Sequence, residues 1–335
     1  MKTSEPRLSV SLPYWQDRPP LDALAVADET ARLGFDRLWV GEMATFDAFA
    51  LATAIGARVP DLPLCVGPLA VDVRTPVAIA LGAASVAALT GARVDLAIGT
   101  SSTVVVEGWH GRTRLSPAIH LEETARIVRQ VAAGRKADFD GRVERARGFR
   151  LRLPATDPAL VIAAFGPQAL GVAAREADGV VLNLVTPQQV SRCVSVVRAA
   201  AESAGRPCPR VSVWVTAAVD PSAADLESFR RAVVGYLAAP GYADMFADAG
   251  FATAVEIARS GATPKQIYGA VTDDLAAVIG AFGDAGAVAR RLAAYRDSGA
   301  DEIVVVPATS ADDPGGARTL DVVARACAPA AEILA

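Results

Sequence analysis

A (β/α)8 barrel with two insertions is the fold the sequence predicts, and three observations carry that prediction. Eight short apolar runs recur along the chain, Ala-rich stretches of helical periodicity separate them, and no clear linker divides the 335 residues. The runs are LSVSLP (8–13), DRLWV (36–40), PLCVG (63–67), VDLAIG (94–99), ALVIAA (159–164), GVVLNL (179–184), RVSVWVTAAV (210–219) and DEIVVVP (301–307). Each has strand length, and most are apolar throughout, as suits a parallel strand covered on both faces.

The helical stretches follow in order. LDALAVADETARLG places Leu21, Leu24, Val26 and Leu33 at helical spacing and stops at Gly34. PVAIALGAASVAALTG opens on Pro76, in the favoured first-turn position, and GAVARRLAAYRDSGA closes on Gly299. Strands alternating with helices give right-handed βαβ units, and eight of them favour a closed barrel over an open doubly wound sheet. Residues 1–335 therefore read as a single barrel domain, a length such barrels routinely reach. Two stretches exceed the usual connection of about two to six residues and read as insertions, 134–158 and 238–278.

Composition narrows the function. With 33 basic against 37 acidic residues, a net charge of −4 offers no extended basic field, which argues against nucleic acid and anionic membranes as partners. Cys65, Cys193, Cys208 and Cys327 lack metal-binding spacing, so no metal is expected. The N-terminus has no apolar core of a signal peptide and no run reaches about 18 apolar residues, so a cytoplasmic protein is expected.

Barrels bind ligands where their strands end, which directs attention to the residues after each run. These are Tyr14-Trp15, Glu42-Met43, Gly67-Pro68, Gly99-Thr100-Ser101-Ser102, Phe165-Gly166-Pro167-Gln168 and Leu184-Val185-Thr186. Gly99 to Ser102 offers backbone N–H groups and hydroxyls to an anion, though a capped strand-end turn would use the same residues. Gly166 precedes Pro167 at a helix start, where free N–H groups again favour an anion. Neither turn matches a P-loop or a dinucleotide fingerprint. Glu42 reads as a proton-transfer or ligand carboxylate, or else as the partner of a rim arginine. A histidine can change charge near neutral pH, and His110 follows Trp109, which suits a pocket, although a histidine bonded within its loop fits equally. Tyr14 and Trp15 suit a substrate wall or a rim contact. Arg74 and Thr75 read as cap or positioning residues, Asp72 as a loop acid without a task, and Trp214 as core. The basic run Arg142 to Arg152 reads as a solvated insertion. His120, ahead of LEETARIVRQV, reads as an exposed helix residue without function.

Taken in order, DRLWVGE, VGPLAVDVRTP, VDLAIGTSS with WHGR, AAFGPQALGVAAREADGVVLN and FGDAGAVARRLAAYRDSGADEIVVVP resemble the luciferase-like monooxygenase superfamily. The resemblance is to its branch that uses deazaflavin coenzyme F420, and it runs nearly the whole chain. It implies a luciferase-like barrel with insertions, a deazaflavin or FMN at the C-terminal face, and a homodimer. Carried across by position, Gly67-Pro68 resembles the bulge behind the cofactor ring, where the family often has a non-proline cis peptide. Proline here makes cis cheaper, with trans still the default. Gly99, Thr100, Ser101 and Ser102 resemble the segment beside the ribityl chain and phosphate, and Phe165, Gly166, Pro167 and Gln168 the second phosphate-side turn. Several relatives carry an acid and a histidine at the end of the second strand, where this chain has Glu42-Met43. The proton partner then falls to Glu42, His110, Tyr14 or water, with Tyr14, Trp15, Met43 and Trp109 on the substrate side.

The resulting expectation is an oxidoreductase moving hydride between F420 and a small organic substrate, in the manner of secondary metabolism. An FMN-dependent monooxygenase is the alternative within the class. A barrel that binds the cofactor without catalysis is the alternative from another class.

Overall fold

The computed structural model describes residues 6–13, 18–42, 44–272 and 274–327. Its strands are β1 (Arg7–Ser11), β2 (Leu38–Val40), β3 (Leu64–Ala70), β4 (Val94–Gly99), β5 (Asp138–Asp140), β6 (Arg145–Arg147), β7 (Leu160–Ala163), β8 (Gly179–Asn183), β9 (Arg210–Val219), β10 (Ala281–Gly283) and β11 (Glu302–Pro307). The large sheet runs β10-β9-β11-β1-β2-β3-β4-β7-β8, and a further β8–β9 pairing closes it. Among the described residues the protein is thus an eight-stranded parallel (β/α)8 barrel, with β10 appended to β9. All eight anticipated runs are barrel strands. The apolar composition explains their position, since every residue of β4 and of β11 is buried.

Surrounding helices are α1 (Asp22–Arg32), α2 (Ala48–Arg58), α3 (Pro76–Thr90), α4 (Pro117–Ala132), α5 (Pro167–Glu176), α6 (Pro187–Ser203) and α7 (Ala223–Val234). Then come α8 (Tyr242–Phe246), α9 (Ala252–Arg259), α10 (Pro264–Ala270), α11 (Leu275–Ile279), α12 (Ala285–Asp297) and α13 (Ala317–Cys327). Their ends follow local chemistry. Thr75 accepts the Ala78 N–H at 3.3 Å to cap α3, Pro76 fills its first turn, and Gly91 ends it in the left-handed region.

The chain forms two compact units. The first comprises Met1–Asp36, Asn183–Arg192 and Ser212–Ala335. In it β11 lies between β1 and β9, and the buried Glu302 carboxylate accepts the Ser9 hydroxyl at 2.6 Å and that of Ser212. A buried carboxylate needs such donors to repay its lost hydration. Residues 238–278 hold α8 to α10 and all of α11 but its last residue, and Phe246, Ile267, Leu275 and Ile279 of these helices share an apolar cluster with Phe229 and Val233 of α7. Buried Gln189, at the start of α6, donates to Met245 O at 2.7 Å and Asp248 Oδ2 at 3.0 Å and so ties that segment down.

The second unit comprises Arg37–Leu182 and Cys193–Val211, and carries β2, β3, β4 and β7 with α2 to α5. Residues 134–158 hold the antiparallel β5–β6 hairpin, which lays Ala137, Ala146 and Leu151 against Ala80 and Ala84 of α3 and Ile127 and Val131 of α4. One expectation is corrected here. His120 is not an exposed helix residue but is only 8% exposed, because the hairpin folds back over the start of α4 and supplies it with a partner.

Candidate functional site

Each sequence-selected turn of the second unit stands at the C-terminal end of a barrel strand. In β3 the pairing with β4 slips: Val66 faces Leu96 but Leu69 faces Ile98, so Gly67-Pro68 forms a bulge with one extra residue. The Gly67-Pro68 peptide is cis. Gly67 has φ +124, and a Cβ there would stand 2.1 Å from the Ala97 carbonyl oxygen, so β4 backbone passes where any side chain would go.

Gly99 lies beside the bulge. It pairs with Ala70, its carbonyl accepts the Val71 N–H at 3.0 Å, and a Cβ on it would meet Ala163 Cβ at 3.2 Å and Pro68 Cβ at 3.7 Å. The bulge, the end of β4 and the end of β7 therefore stand in a row, with small residues at each contact. Beyond Gly99, Ser101 is exposed at φ +52, and the Ser102 hydroxyl accepts the Val105 N–H at 3.3 Å. Ser102 thereby opens a π-helical turn (Val104–Trp109), which ends on His110. Trp109 is 50% exposed and His110 is exposed.

At the end of β7, Phe165 is half-buried and Gly166 is the N-cap of α5, with Pro167 in its first turn and Gln168 exposed. No side chain caps this helix, and nothing lies within 4 Å of where a Gly166 Cβ would be. The first N–H groups of an α-helix have no partner within the helix, so this end carries donors and a positive dipole end that no side chain caps.

Glu42 follows β2, and Arg74 grips its carboxylate through both oxygens: Nε donates to Oε2 at 2.8 Å and Nη2 to Oε1. Nη2 also pairs with Asp47, which caps α2 by accepting Phe49 N at 3.0 Å and Ala50 N at 2.9 Å. The Arg74 guanidinium stacks 5.2 Å from the Phe49 ring centroid. Its pKa is raised chiefly by the bond to Glu42, with Asp47 adding to it against the cost of burial. For Asp47, burial pushes the carboxyl up, but the Ala50 N–H and Arg74 outweigh it and hold it below its ordinary value. The sequence pointed to Glu42 as a strand-end acid; that Arg74 and Asp47 complete the cluster emerges from the fold, since they lie 32 and 5 positions away with no local signature. Tyr14, Trp15 and Met43 lie outside the described residues.

Strand-end turns carrying an anion-ready helix terminus on an eight-stranded parallel barrel define a barrel enzyme of the ligand-at-the-mouth kind. The chain belongs to the luciferase-like monooxygenase family, whose model matches residues 7–302. It is 25% identical over 295 residues to a 5,10-methylenetetrahydromethanopterin reductase of Methanolobus tindarius, covering 85% of this chain and 90% of that one. Its fold is similar to that of an F420-dependent secondary alcohol dehydrogenase in complex with an F420-acetone adduct (TM-score 0.78, 17% identity, 97% and 100% of the two chains). It is also similar to the FMN-bound oxygenating constituent of the 3,6-diketocamphane monooxygenase of Pseudomonas putida (TM-score 0.71, 14% identity, 97% and 98%).

Proposed function

We propose that this protein is an oxidoreductase that transfers hydride between coenzyme F420 and a small organic substrate. The observation that carries the reading is the uncapped start of α5 at Gly166, together with the row of small residues formed by Gly67-Pro68, Gly99 and the end of β7. That arrangement fits a group bearing a phosphate: open N–H donors and the helix dipole would hold the anion, with Ser101, Ser102 and Thr100 beside it. Gly67 and Pro68 would back the ring, with Phe165, Pro167 and Gln168 at the phosphate-side turn. When bound, the deazaflavin supplies the hydride-carrying carbon, and the protein contributes orientation and electrostatics.

The proton is handled by this chain's own groups. Arg74 occupies both oxygens of Glu42, which makes Glu42 a positioning carboxylate that fixes the β2 end against α2. His110, exposed at the close of the turn after β4, is left as the proton partner, with Trp109 beside it, and the resemblance assigns Tyr14, Trp15 and Met43 to the substrate. The barrel's likeness to the F420-dependent secondary alcohol dehydrogenase supports F420 as the carrier. FMN is the second reading, favoured by the barrel's likeness to the FMN-bound monooxygenase component.

Titration with each cofactor tests this. A ligand present at a hundredfold excess over its Kd stabilises the native state by about 2.7 kcal/mol, so F420 should raise the melting temperature by several degrees while FMN does not. A rise with FMN alone transfers the reading to the monooxygenase, and a rise with neither overturns both. The Gly166→Asp variant sharpens the test, because an Asp at the N-cap would satisfy the α5 donors internally. It should leave the ligand-free protein as stable or a few tenths of a kcal/mol more so. F420 affinity should fall about tenfold, since the new carboxylate competes with the phosphate for the same donors.

The reading includes a homodimer. No charged residue occurs along α3, and it exposes Leu81 (41%) and Leu89 (73%) beside Ala50, Ala54 and Ala57 of α2, which packs against it. An uncharged helix of this kind calls for cover on its outer side. α3, about 22 Å long, and the shorter α2, about 16 Å long, lying about 10 Å apart, offer roughly 350–400 Å², enough for the apolar centre of a standard interface of about 800 Å² per partner. Light scattering should give twice the 34.6 kDa chain mass, and Leu89→Glu should reduce it to one chain. A wild-type protein running at the single-chain mass rejects the dimer.

A further inference from the structure

His120 stands apart from the turns discussed above, yet its contacts join three elements of the second unit. It occupies the first turn of α4. Its Nδ1 lies 2.9 Å from Asp72 Oδ1, on the loop between β3 and α3, and its Nε2 lies 2.8 Å from Glu144 Oε1, in the turn of the β5–β6 hairpin. One turn on, Glu123 of α4 accepts the backbone N–H groups of Arg142, Val143 and Glu144 at 2.7, 2.8 and 2.7 Å. A Cβ at Gly141 would stand 2.5 Å from the Glu123 carboxylate, so the hairpin turn comes as close to α4 as its backbone permits.

Two ring nitrogens that each face a carboxylate are both satisfied only when both carry a proton. A neutral imidazole would turn one lone pair toward the lone pairs of Asp72 or Glu144, replacing a charge-assisted bond with repulsion in a largely buried place. We infer that protonated His120 is a clamp that bolts the β5–β6 hairpin to the β3–α3 loop, and that loss of its proton releases the hairpin turn from that loop.

The ionisable groups that face the imidazole are Asp72 from the loop, Glu144 from the hairpin and Glu123 from its own helix, three acids around one base. Burial works against the imidazolium, but the bonds to Glu144 and Asp72 outweigh it, and the pKa is raised above the ordinary histidine value. Glu123 moves the other way: burial pushes it up, and the N–H groups of Glu144, Arg142 and Val143 more than reverse this and lower it. Glu123 is therefore the permanent anchor of the hairpin and His120 its protonation-dependent one. With the folded-state pKa raised, the clamp contributes fully below about pH 6.5 and is lost as pH rises through the folded-state value. Asp72 stands two residues from Arg74, so the loop the clamp secures is the one that delivers Arg74 to Glu42.

Hydrogen–deuterium exchange of the full chain tests the clamp without any cofactor. After correction for the intrinsic pH dependence of exchange, the amides of residues 141–144 should lose their protection several-fold between pH 6 and pH 9, as the linked proton leaves. In His120→Gln their protection should be flat across that range and match the wild-type level at pH 9. Equal corrected protection at the two pH values in the wild type overturns the proposal, as does the same pH-dependent drop in the variant. Should His120→Gln fail to fold, an NMR titration of the wild-type His120 ring replaces it. A pKa above 6.5 with both ring nitrogens protonated at pH 6 supports the clamp, and a pKa at or below 6.5 overturns it.

Discussion

Replacing Gly67 with alanine should remove folded protein from the soluble fraction or lower its stability by about 3–5 kcal/mol, a large share of the roughly 5–15 kcal/mol that holds a domain together. Two independent penalties coincide at this position. Its φ of +124 lies where side-chain-bearing residues are strained, and the added Cβ would stand 2.1 Å from the Ala97 carbonyl oxygen and 2.8 Å from Leu69 N. The obstructing atoms are backbone, and they belong to the β3–β4 pairing itself, so relief requires one strand to move from its neighbour. Gly166→Ala is the matched control, since nothing lies within 4 Å of the Cβ it would add and its φ is −78. Thermal unfolding of the two variants side by side decides the matter. A Gly67→Ala protein melting within a couple of degrees of the wild type would show that the bulge relaxes cheaply and that glycine is not required there.

The contrast between these two glycines bears on how far the sequence could be read. Gly67 was legible as a residue at the end of an apolar run, and the bulge there was expected from the family resemblance, which the Gly-Pro pair carries locally. The eight barrel strands were legible for a similar reason: each is an apolar run complete within itself, bounded by turn residues. β5 and β6 were not, since DFD and RAR carry no apolar alternation, and the hairpin is held by what α3 and α4 offer it. β10 is three residues long and too short to stand out as an apolar run of its own. His120 was misjudged for an instructive reason. A helical pattern reports which face a helix turns to the core, but this histidine is covered from outside by a turn more than twenty positions downstream. Glu42 could be chosen as a strand-end acid, whereas its engagement by Arg74 depends on how β2 and β3 stand side by side.

Asp95→Asn should cost about 3–5 kcal/mol although it changes one atom and lies away from every candidate ligand residue. The Asp95 carboxylate pairs with Arg37 at 3.0 Å, both side chains being under 10% exposed, and its other oxygen accepts the Ala159 N–H at 3.1 Å. Arg37 precedes β2, Asp95 begins β4 and Ala159 precedes β7, so one carboxylate ties three strand starts at the N-terminal face of the barrel, the face given to stability rather than catalysis. Asparagine keeps the acceptor that Ala159 needs and removes the charge that faces the guanidinium, which isolates the electrostatic part of the loss. Arg93, 3.9 Å away and 68% exposed, is too well solvated to substitute for it. If the loss arises from leaving a buried cation without its carboxylate, then Arg37→Met combined with Asp95→Asn should recover a good part of it, because an apolar pair is often no worse than a buried ion pair. Denaturant unfolding of the two single variants and the double one gives the coupling directly. Strictly additive losses would mean that Arg37 and Asp95 stabilise the barrel independently, Arg37 through its stacking 4.8 Å from the Trp39 ring centroid and Asp95 through Ala159.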